Sequence, residues 1–500
     1  MNDHSHVLQA IAKHAVNSPD KSALETFDAQ ITYAALHRQI DDFAKELEAT
    51  SSQRIAIMMD NAPSVVIADL AVLAAKMLCV PVPLFFSAQQ TIHLLRHASI
   101  DTVITSMPEA AKKLFALANI EYVSMARLKL VNSNAIAFRL ICPKVHPLPK
   151  DCQKITYTSG STGEPKGVCL SQSSMEQVAM SLCEASAASA DERHLSMLPF
   201  ATLLENIGGL YTAMLCGATL IIPPLSECGL EGSSSLNTPR FIAALCRSSA
   251  TSCILIPQML QALLIAIDQG LTPPTRLRYV AVGGAPVAPR LLTDAMALGI
   301  PAYEGYGLSE AASVVAVNTP IANKIGSVGR LLSHVRIKFS DDGEILVAGS
   351  IFLGYLGEKI AQAEYLPTGD IGKIDDAGYL HLQGRKKHIF ITAFGRNVSP
   401  EWVERELLME AEIAQVCIFG EAREFNAAVI VVRGAVDSTA LKKAVSRANL
   451  RLPDYARIHH WVVRETPFTV KNKLWTGTGR ARRMQIWKHY QEQLFGKKLS

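Results

Sequence analysis

In the segment TYAALHRQIDDFAKELE, Leu36, Ile40, Phe43 and Leu47 fall at steps of four and three residues, the spacing of one face of an α-helix. Thr32 stands at its start, where a side-chain oxygen can accept from an early backbone N–H, so it is a candidate N-cap. The chain then reads RIAIMMD, a buried-strand pattern, a helical stretch over 61–78, and VPVPL, a second strand. Strand, helix, strand is the unit from which parallel sheets are built. The alternation continues through DTVIT, ATLIIPP, CILIP and RYVAVGG, with helix-like segments between them. From about Val335 the texture changes to short strands joined by turns, VRIKFSDDGEILVAG and DDAGYLHLQGR. After Gly384 comes a compact α+β pattern: HIFITAFG, the helix SPEWVERELLMEA, VCIFG, AAVIVV and a basic C-terminal helix. SSSLNTP, near residue 235, reads as a loop.

Composition bounds this picture. Five hundred residues exceed what one hydrophobic core usually supports, so about two to four domains are expected. A hydrophobic content of 49% against 19% charged residues excludes a disordered chain. The N-terminus has no basic stretch followed by an apolar core, so no signal peptide is expected. The apolar run VVIADLAVLAAKMLCVPVPLFF carries Asp69 and Lys76 and is broken by Pro81 and Pro83, which suits a buried helix and strand better than a membrane span. Ten cysteines lie without any CxxC pair. That is neither a disulfide framework nor a zinc site, and it points to a reducing cytoplasm. The net charge of +4 hides an asymmetry: residues 1–385 hold 29 Lys/Arg against 34 Asp/Glu, and 386–500 hold 20 against 11. The sign changes where the texture does, which puts the main boundary at Arg385–Lys386. A basic C-terminal portion attracts negative partners: nucleic acid, a membrane surface or a phosphorylated ligand.

Candidate chemistry begins at Ile155–Ser171, ITYTSGSTGEPKGVCLS. It sits between a strand, KITYT, and a helix expected near Ser173, where Ser173 and Glu176 have capping-box spacing. Glycines let backbone N–H groups converge on an anion, hydroxyls donate further bonds, and Lys166 supplies charge. Phosphate binding is the sharper reading, an ordinary glycine-rich turn the plainer one. It is not the P-loop of NTPases, because Lys166 is followed by Gly167 and Val168.

The core of this stretch, YTSGSTGEPKGV, resembles the signature of the adenylate-forming superfamily, whose members include acyl-CoA synthetases, luciferases and peptide-synthetase adenylation domains. Further motifs follow in that family's order. GGAP at Gly283–Pro286 and YEGYGLSE at Tyr303–Glu310 resemble the adenine- and adenylate-binding segments. YLPTGD, ending at Asp370, resembles the ribose motif, and GRKKHIFITAFGRNVSPEWVE resembles the hinge and the start of the mobile C-terminal domain. The resemblance implies a large α/β domain of layered sheets over 1–385 and a small mobile α+β domain over 386–500. It implies ATP, Mg²⁺ and CoA, or a carrier-protein phosphopantetheine, as reactants. Thr158, Ser159, Gly160, Ser161, Thr162, Gly163 and Lys166 would hold the departing pyrophosphate. Gly283, Gly284, Ala285, Tyr306 and Gly307 would form the adenylate pocket. Ser309 stands where the family usually has threonine, and Glu310 would be the magnesium ligand, a role that needs few carboxylates beside phosphate oxygens. Asp370 would accept both ribose hydroxyls, and Arg385 would neutralise phosphate or ribose oxygens near the hinge.

Two departures narrow this. The family usually has a C-terminal lysine that reaches the carboxylate and α-phosphate. Aligned on LWTGTGRARR, that position falls on Arg480, with Lys471 and Lys473 within a register shift. Arginine keeps the charge but is longer and planar. Peptide-synthetase domains place Asp directly after the phenylalanine of the segment that here reads LPFATLLEN, to pair an α-ammonium group. Ala201 follows Phe200 here, so an ammonium would be buried unpaired, and amino acids are disfavoured. Ala201 and Thr202 also replace the aromatic–His pair of many acyl-CoA synthetases.

FGRNVSPEWVE looks most like long-chain fatty acyl-CoA synthetases, which tilts the substrate toward an apolar carboxylate. An acyl-AMP ligase that loads a carrier protein is the close rival, since CoA and acidic carrier proteins would both suit a basic C-terminal face. A degenerate, non-catalytic adenylate-binding protein is the rival from another class, opposed by Lys166, Glu310 and Asp370. No nucleic-acid module is recognised. No transmembrane segment is expected, although peripheral membrane contact is compatible with the composition.

Overall fold

A computed structural model of the chain describes residues 5–127, 135–141, 146–158, 165–231, 235–358, 364–476 and 480–496. The helix read first from its apolar face is Tyr33–Glu48, with Leu36, Ile40, Phe43 and Leu47 buried. Thr32 caps it, its hydroxyl oxygen accepting from the Ala35 N–H at 3.3 Å. The apolar run after it forms the helix Pro63–Ala74, nearly all of it buried, and the strand Leu78–Pro81.

Two large sheets carry the N-terminal part. In one, of eight strands, Arg54–Met58 lies parallel between Leu78–Pro81 and Thr102–Thr105. The other has nine strands. Its centre runs parallel through Ala302–Tyr306, Tyr279–Val282, Ser252–Leu255, Arg193–Leu195 and Thr219–Ile221, with antiparallel pairs toward its edges. Helices Tyr33–Glu48, Pro63–Ala74 and Gln172–Ser186 share one hydrophobic cluster with strands of both sheets, the layered α/β arrangement expected. The short strands after Val335 form a separate antiparallel sheet, Arg336–Phe339, Glu344–Ala348, Leu366–Ile374 and Leu380–Arg385.

The C-terminal part is smaller. Its sheet of Ile413–Phe419, Asn426–Val432 and Ile458–Arg464 is covered on both faces. Because side chains alternate along a strand, Val416, Ile418, Ala428 and Ile430 pack with helices Pro400–Leu408 and Ser438–Leu450. Cys417, Phe419, Val429 and Val431 pack with helix Arg483–Phe495.

One cap is corrected. The helix after the glycine-rich loop starts at Gln172, and Ser171, not Ser173, caps it by accepting from the Ser174 N–H. Glu176 does not complete a capping box. Its carboxylate turns to the N-terminal helix, where it accepts from Ser5 Oγ and the His6 N–H.

Two buried ionic groups brace this frame. Lys154 Nζ donates to Asp69 Oδ1 at 2.7 Å and Asn206 Oδ1 at 2.6 Å, while Tyr211 donates to Asp69 Oδ2 at 3.1 Å. A charge pair removed from water tolerates the loss of neither partner. Glu304 has no such contact. Burial pushes its carboxyl up to about 7 from 4.5, with the Arg405 charge and the Val287 N–H opposing. Between those values the folded chain holds a proton that the unfolded chain has released, so stability falls as pH rises through the window. Glu304→Gln is expected to remove that slope and raise stability above neutrality by roughly 2–3 kcal/mol. Urea midpoints at about pH 5 and about pH 7.5 check this; parallel slopes in both proteins would refute it.

Candidate active site

Gly283 and Gly284 follow directly on the strand Tyr279–Val282, and Gly307 on Ala302–Tyr306. Both glycine motifs therefore stand at the carboxyl edge of the parallel sheet, where open α/β sheets place ligands. A Cβ at Gly307 would lie 1.6 Å from the Ser313 carbonyl oxygen, so the approach of these two segments requires glycine. They open onto a cleft of about 1670 Å³ that reaches both large sheets, the four-stranded sheet and the C-terminal part.

Gly283, Gly284, Tyr306, Gly307, Ser309 and Glu310 line this cleft, as do Thr158, Lys166, Arg385 and Arg480. Ala285 is next in the chain but is not part of the wall. Ser159, Gly160, Ser161, Thr162 and Gly163 lie outside the described residues.

Asp370 stands just behind the wall, buried, with both oxygens engaged. Tyr306 Oη donates to Oδ2 at 2.7 Å, and the Arg385 guanidinium forms an ion pair with Oδ1, Nε lying 2.9 Å away. Asp370 and Arg385 face each other across adjacent antiparallel strands, which is why residues fifteen apart in the chain meet. Burial pushes the Asp370 carboxyl up, opposed by Arg385, Tyr306 and Arg480. Burial and Asp370 hold the Tyr306 hydroxyl well above its ordinary value, so it stays a donor.

Glu310 Oε1 accepts from Tyr355 Oη at 2.7 Å. Lys166 Nζ lies 4.6 Å from the centre of the same tyrosine ring and 2.8 Å from Glu358 Oε1. Both members of the lysine–glutamate pair are about half exposed, so that contact is weak and easily exchanged. One aromatic ring thus separates a cation from a carboxylate at the cleft wall.

Arg480 closes the site from the C-terminal side. Trp475 and Ala481 pair in an antiparallel bridge, and the Thr476 N–H donates to the Arg480 carbonyl at 2.8 Å. The guanidinium reaches across to donate to the Gly284 carbonyl at 3.2 Å. It remains open to solvent by area although protein crowds it. That crowding and Arg385 lower its pKa, while Asp370, Glu401 and Glu310 pull the other way; the group stays charged. Lys471 and Lys473 are not among the residues lining the cleft.

Away from the glycine motifs the cleft is lined by Ala201, Thr202, Leu182, Leu204, Ile254, Val314 and Val317, and also by Ser186, Glu192, Thr212 and Cys216. Its facing wall includes Gly208 and Gly209, which sit in a π-helical turn, Asn206–Tyr211. Such turns carry one more residue than an α-turn and recur at functional sites.

Sequence reading missed Tyr355 and Glu358, which lie in no motif, and Glu205, His194 and Ser252 at the deep end. A signal existed only for Ser252, the polar residue that opens the otherwise apolar strand Ser252–Leu255; His194 stands beside Arg193 in the short strand Arg193–Leu195.

Comparison with known proteins agrees with this geometry. A family model described as "AMP-binding enzyme" matches residues 11–356, and one for the "AMP-binding enzyme C-terminal domain" matches 387–495. The chain belongs to the AMP-binding enzyme family. The AMP-forming acid–thiol ligase implied by the motifs therefore stands. A long-chain-fatty-acid–CoA ligase of Mycobacterium bovis, FadD15, is 25% identical over 494 residues, covering 86% of this chain and 82% of that protein. An indoleacetate–CoA ligase of Aromatoleum aromaticum is 26% identical over 459 residues, covering 84% and 86%. The solved structure of the o-succinylbenzoate CoA synthetase MenE of Bacillus subtilis, in complex with ATP and a magnesium ion, superposes with a TM-score of 0.73 at 21% identity, covering 95% of this chain and 98% of that one. The three act on chemically different acids by name, so membership alone leaves the acid open. No helix among the described residues is long and apolar enough to cross a membrane.

Proposed function

We propose that this chain joins an apolar, fatty-type carboxylic acid to the thiol of CoA through an acyl-adenylate. The observation that carries the choice of acid is the proposed acyl wall: uncharged at Ala201 and Thr202, apolar at Leu182, Ile254, Val314 and Val317, and with its one carboxylate, Glu192, already paired with Arg278 and Thr251. In the first step the carboxylate oxygen attacks the α-phosphorus of ATP, an acyl-adenylate forms and pyrophosphate leaves. In the second the CoA sulfur attacks the acyl carbon and AMP leaves. Positioning and charge neutralisation account for most of such catalysis.

The residues divide the work. Asp370 accepts the ribose hydroxyls, Tyr306 and Arg385 having held its oxygens in place until then. Lys166 exchanges Glu358 for the departing phosphates, together with Thr158 and the hydroxyls of Ser159, Ser161 and Thr162. Gly283, Gly284 and Gly307 let the backbone approach the adenylate, Ala285 follows Gly284 behind the wall, and Ser309 supplies a hydroxyl beside it. Glu310 would hold magnesium. It stands alone, since the described residues contain no cluster of three or more metal-binding side chains, and a single carboxylate beside ATP oxygens suits that ion. When bound, magnesium neutralises phosphate charge. Residues 1–385 form the large domain and 386–500 the small mobile one, turning near Arg385.

The test is ATP–pyrophosphate exchange with magnesium over a panel of acids, followed by thioester formation with CoA and separately with a carrier protein. Fastest exchange with medium or long apolar acids, and thioester on CoA, are expected. Preference for small polar acids would overturn the substrate class, and transfer to the carrier alone would overturn the acceptor. A lack of exchange with every acid would leave an adenylate-binding protein without catalysis.

A further inference from the structure

The lining of the cleft is apolar at Leu182, Ile254, Val314 and Val317 and polar at Ser186, Glu192, His194, Thr212 and Ser252; Glu192 is already paired with Arg278 and Thr251. His194, Ser252 and Tyr279 are register partners on three neighbouring parallel strands, and all three line the cleft. Ser252 and Tyr279 lie three residues before Leu255 and Val282, which end their strands. They therefore sit roughly 10 Å down the sheet from the edge that carries Gly283 and Gly307. Ile254 and Ala281 fill the interval on the cleft wall.

The polar group is tied together from behind. Glu205 is 0% exposed. Its Oε2 accepts from the Leu198 N–H at 3.1 Å, and its Oε1 meets His194 Nε2 at 3.1 Å. The opposite ring nitrogen, Nδ1, meets Ser252 Oγ at 3.1 Å. Gly209 of the π-helical turn gives the pair its space: a Cβ there would fall 2.4 Å from Glu205 Oε1 and 2.9 Å from His194 Nε2. A buried carboxylate held through both oxygens fixes the imidazole, and the imidazole in turn aims the serine. A hydroxyl has one proton and two lone pairs. The bond to His194 uses part of that capacity, and the remainder belongs to the cleft that Ser252 lines.

An unsubstituted alkyl chain pushed to this depth would strip water from Ser252 Oγ and replace it with nothing. A hydroxyl at the same depth would restore the bond by donating to Ser252 Oγ, whose own proton goes to His194 Nδ1 when Nε2–H is held by Glu205. Sites built to bond a substrate hydroxyl reject analogues that lack it, because the protein group is left unpaired. Resting on the ligase reading above, we propose that the preferred acid carries a hydroxyl, a donor for the free lone pair of Ser252, toward the far end of an otherwise apolar chain. Ser252 selects it, and Glu205 and His194 are the residues that position Ser252.

Acyl-adenylate formation with matched pairs of medium-chain acids, plain against terminal-hydroxy, tests this. The purified full chain is expected to prefer the oxygenated member at one or more chain lengths by about tenfold in kcat/KM, the worth of one neutral hydrogen bond. Ser252→Ala should bring that ratio near unity, and Ser252→Thr should keep it. His194→Gln should lower the ratio as well, with the loss in KM for the oxygenated acid rather than in its kcat. A wild-type ratio at or below unity for every pair overturns the proposal while leaving the ligase reading intact, and so does a ratio that Ser252→Ala does not change. Should a variant fail to fold, the wild-type ratio decides alone. Exchange with no acid of either kind overturns both readings together.

Discussion

Arg480→Ala slows acyl-adenylate formation by about 10²–10³-fold and leaves thioester formation from pre-made acyl-adenylate nearly unchanged. The size follows from what is removed: a preorganised cation where negative charge gathers as a carboxylate meets the α-phosphate, and single contacts of that kind are worth about this much. The place follows from the fold. A bridge between Trp475 and Ala481 presents the guanidinium to the cleft, within 3.2 Å of the Gly284 carbonyl and within the field of Asp370 and Glu310. The two half-reactions separate because the small domain would turn near Arg385 and offer another face in the second step. Arg480→Lys restores the cation in the more compact form and should recover much of the first step. Single-turnover assays of each half-reaction check this. Normal adenylation in Arg480→Ala together with loss in Lys473→Ala would move the role to Lys473.

Glu310→Ala abolishes ATP–pyrophosphate exchange at millimolar magnesium. Its carboxylate is held by Tyr355 through one oxygen, at 2.7 Å, which orients the group toward the cleft it lines. Glu310→Gln keeps the shape and the bond from Tyr355 but not the charge, so it should be nearly as slow, whereas Tyr355→Phe should cost only severalfold. Wild-type exchange in Glu310→Ala would remove this residue from the metal role. Full activity in Glu310→Gln would show that the carboxylate acts through hydrogen bonding and not through charge.

The grouping of residues proposed for the nucleotide was legible because its motifs are written locally. Lys166, Glu310, Asp370 and Arg385 each sit in a short segment whose glycines and hydroxyls mark it, and the fold gathers them around one cleft. The helix Tyr33–Glu48 and its cap Thr32 were legible for the same reason: four apolar residues and one hydroxyl at fixed steps. What escaped was pairing at long range. Nothing near Tyr355 says that its hydroxyl will meet Glu310, and nothing near Glu205 says that it will meet His194. The order of strands in the nine-stranded sheet, which sets Ser22–Glu25 against Thr219–Ile221, has no local signature either. The partners of Glu176, Ser5 and the His6 N–H, are likewise remote in sequence, so nothing local says that it leaves the capping box open. Local chemistry names the reacting parts, and remote packing decides what surrounds them.

The π-helical turn Asn206–Tyr211 has a consequence for how this cleft can vary. Each residue of a helix advances the chain by about 100°, and the supernumerary one in this turn is part of what brings Gly208 and Gly209 to the cleft with a bulkier neighbour on either side turned away. The calibre of the acyl channel is therefore set by helical phase as well as by side-chain volume. A one-residue insertion or deletion could exchange glycine for Ile207 or Leu210 at the wall while every lining residue elsewhere kept its identity. Two chains that align perfectly along Ile254, Val314 and Val317 can still hold channels of different bore, and the difference is recorded only as a gap.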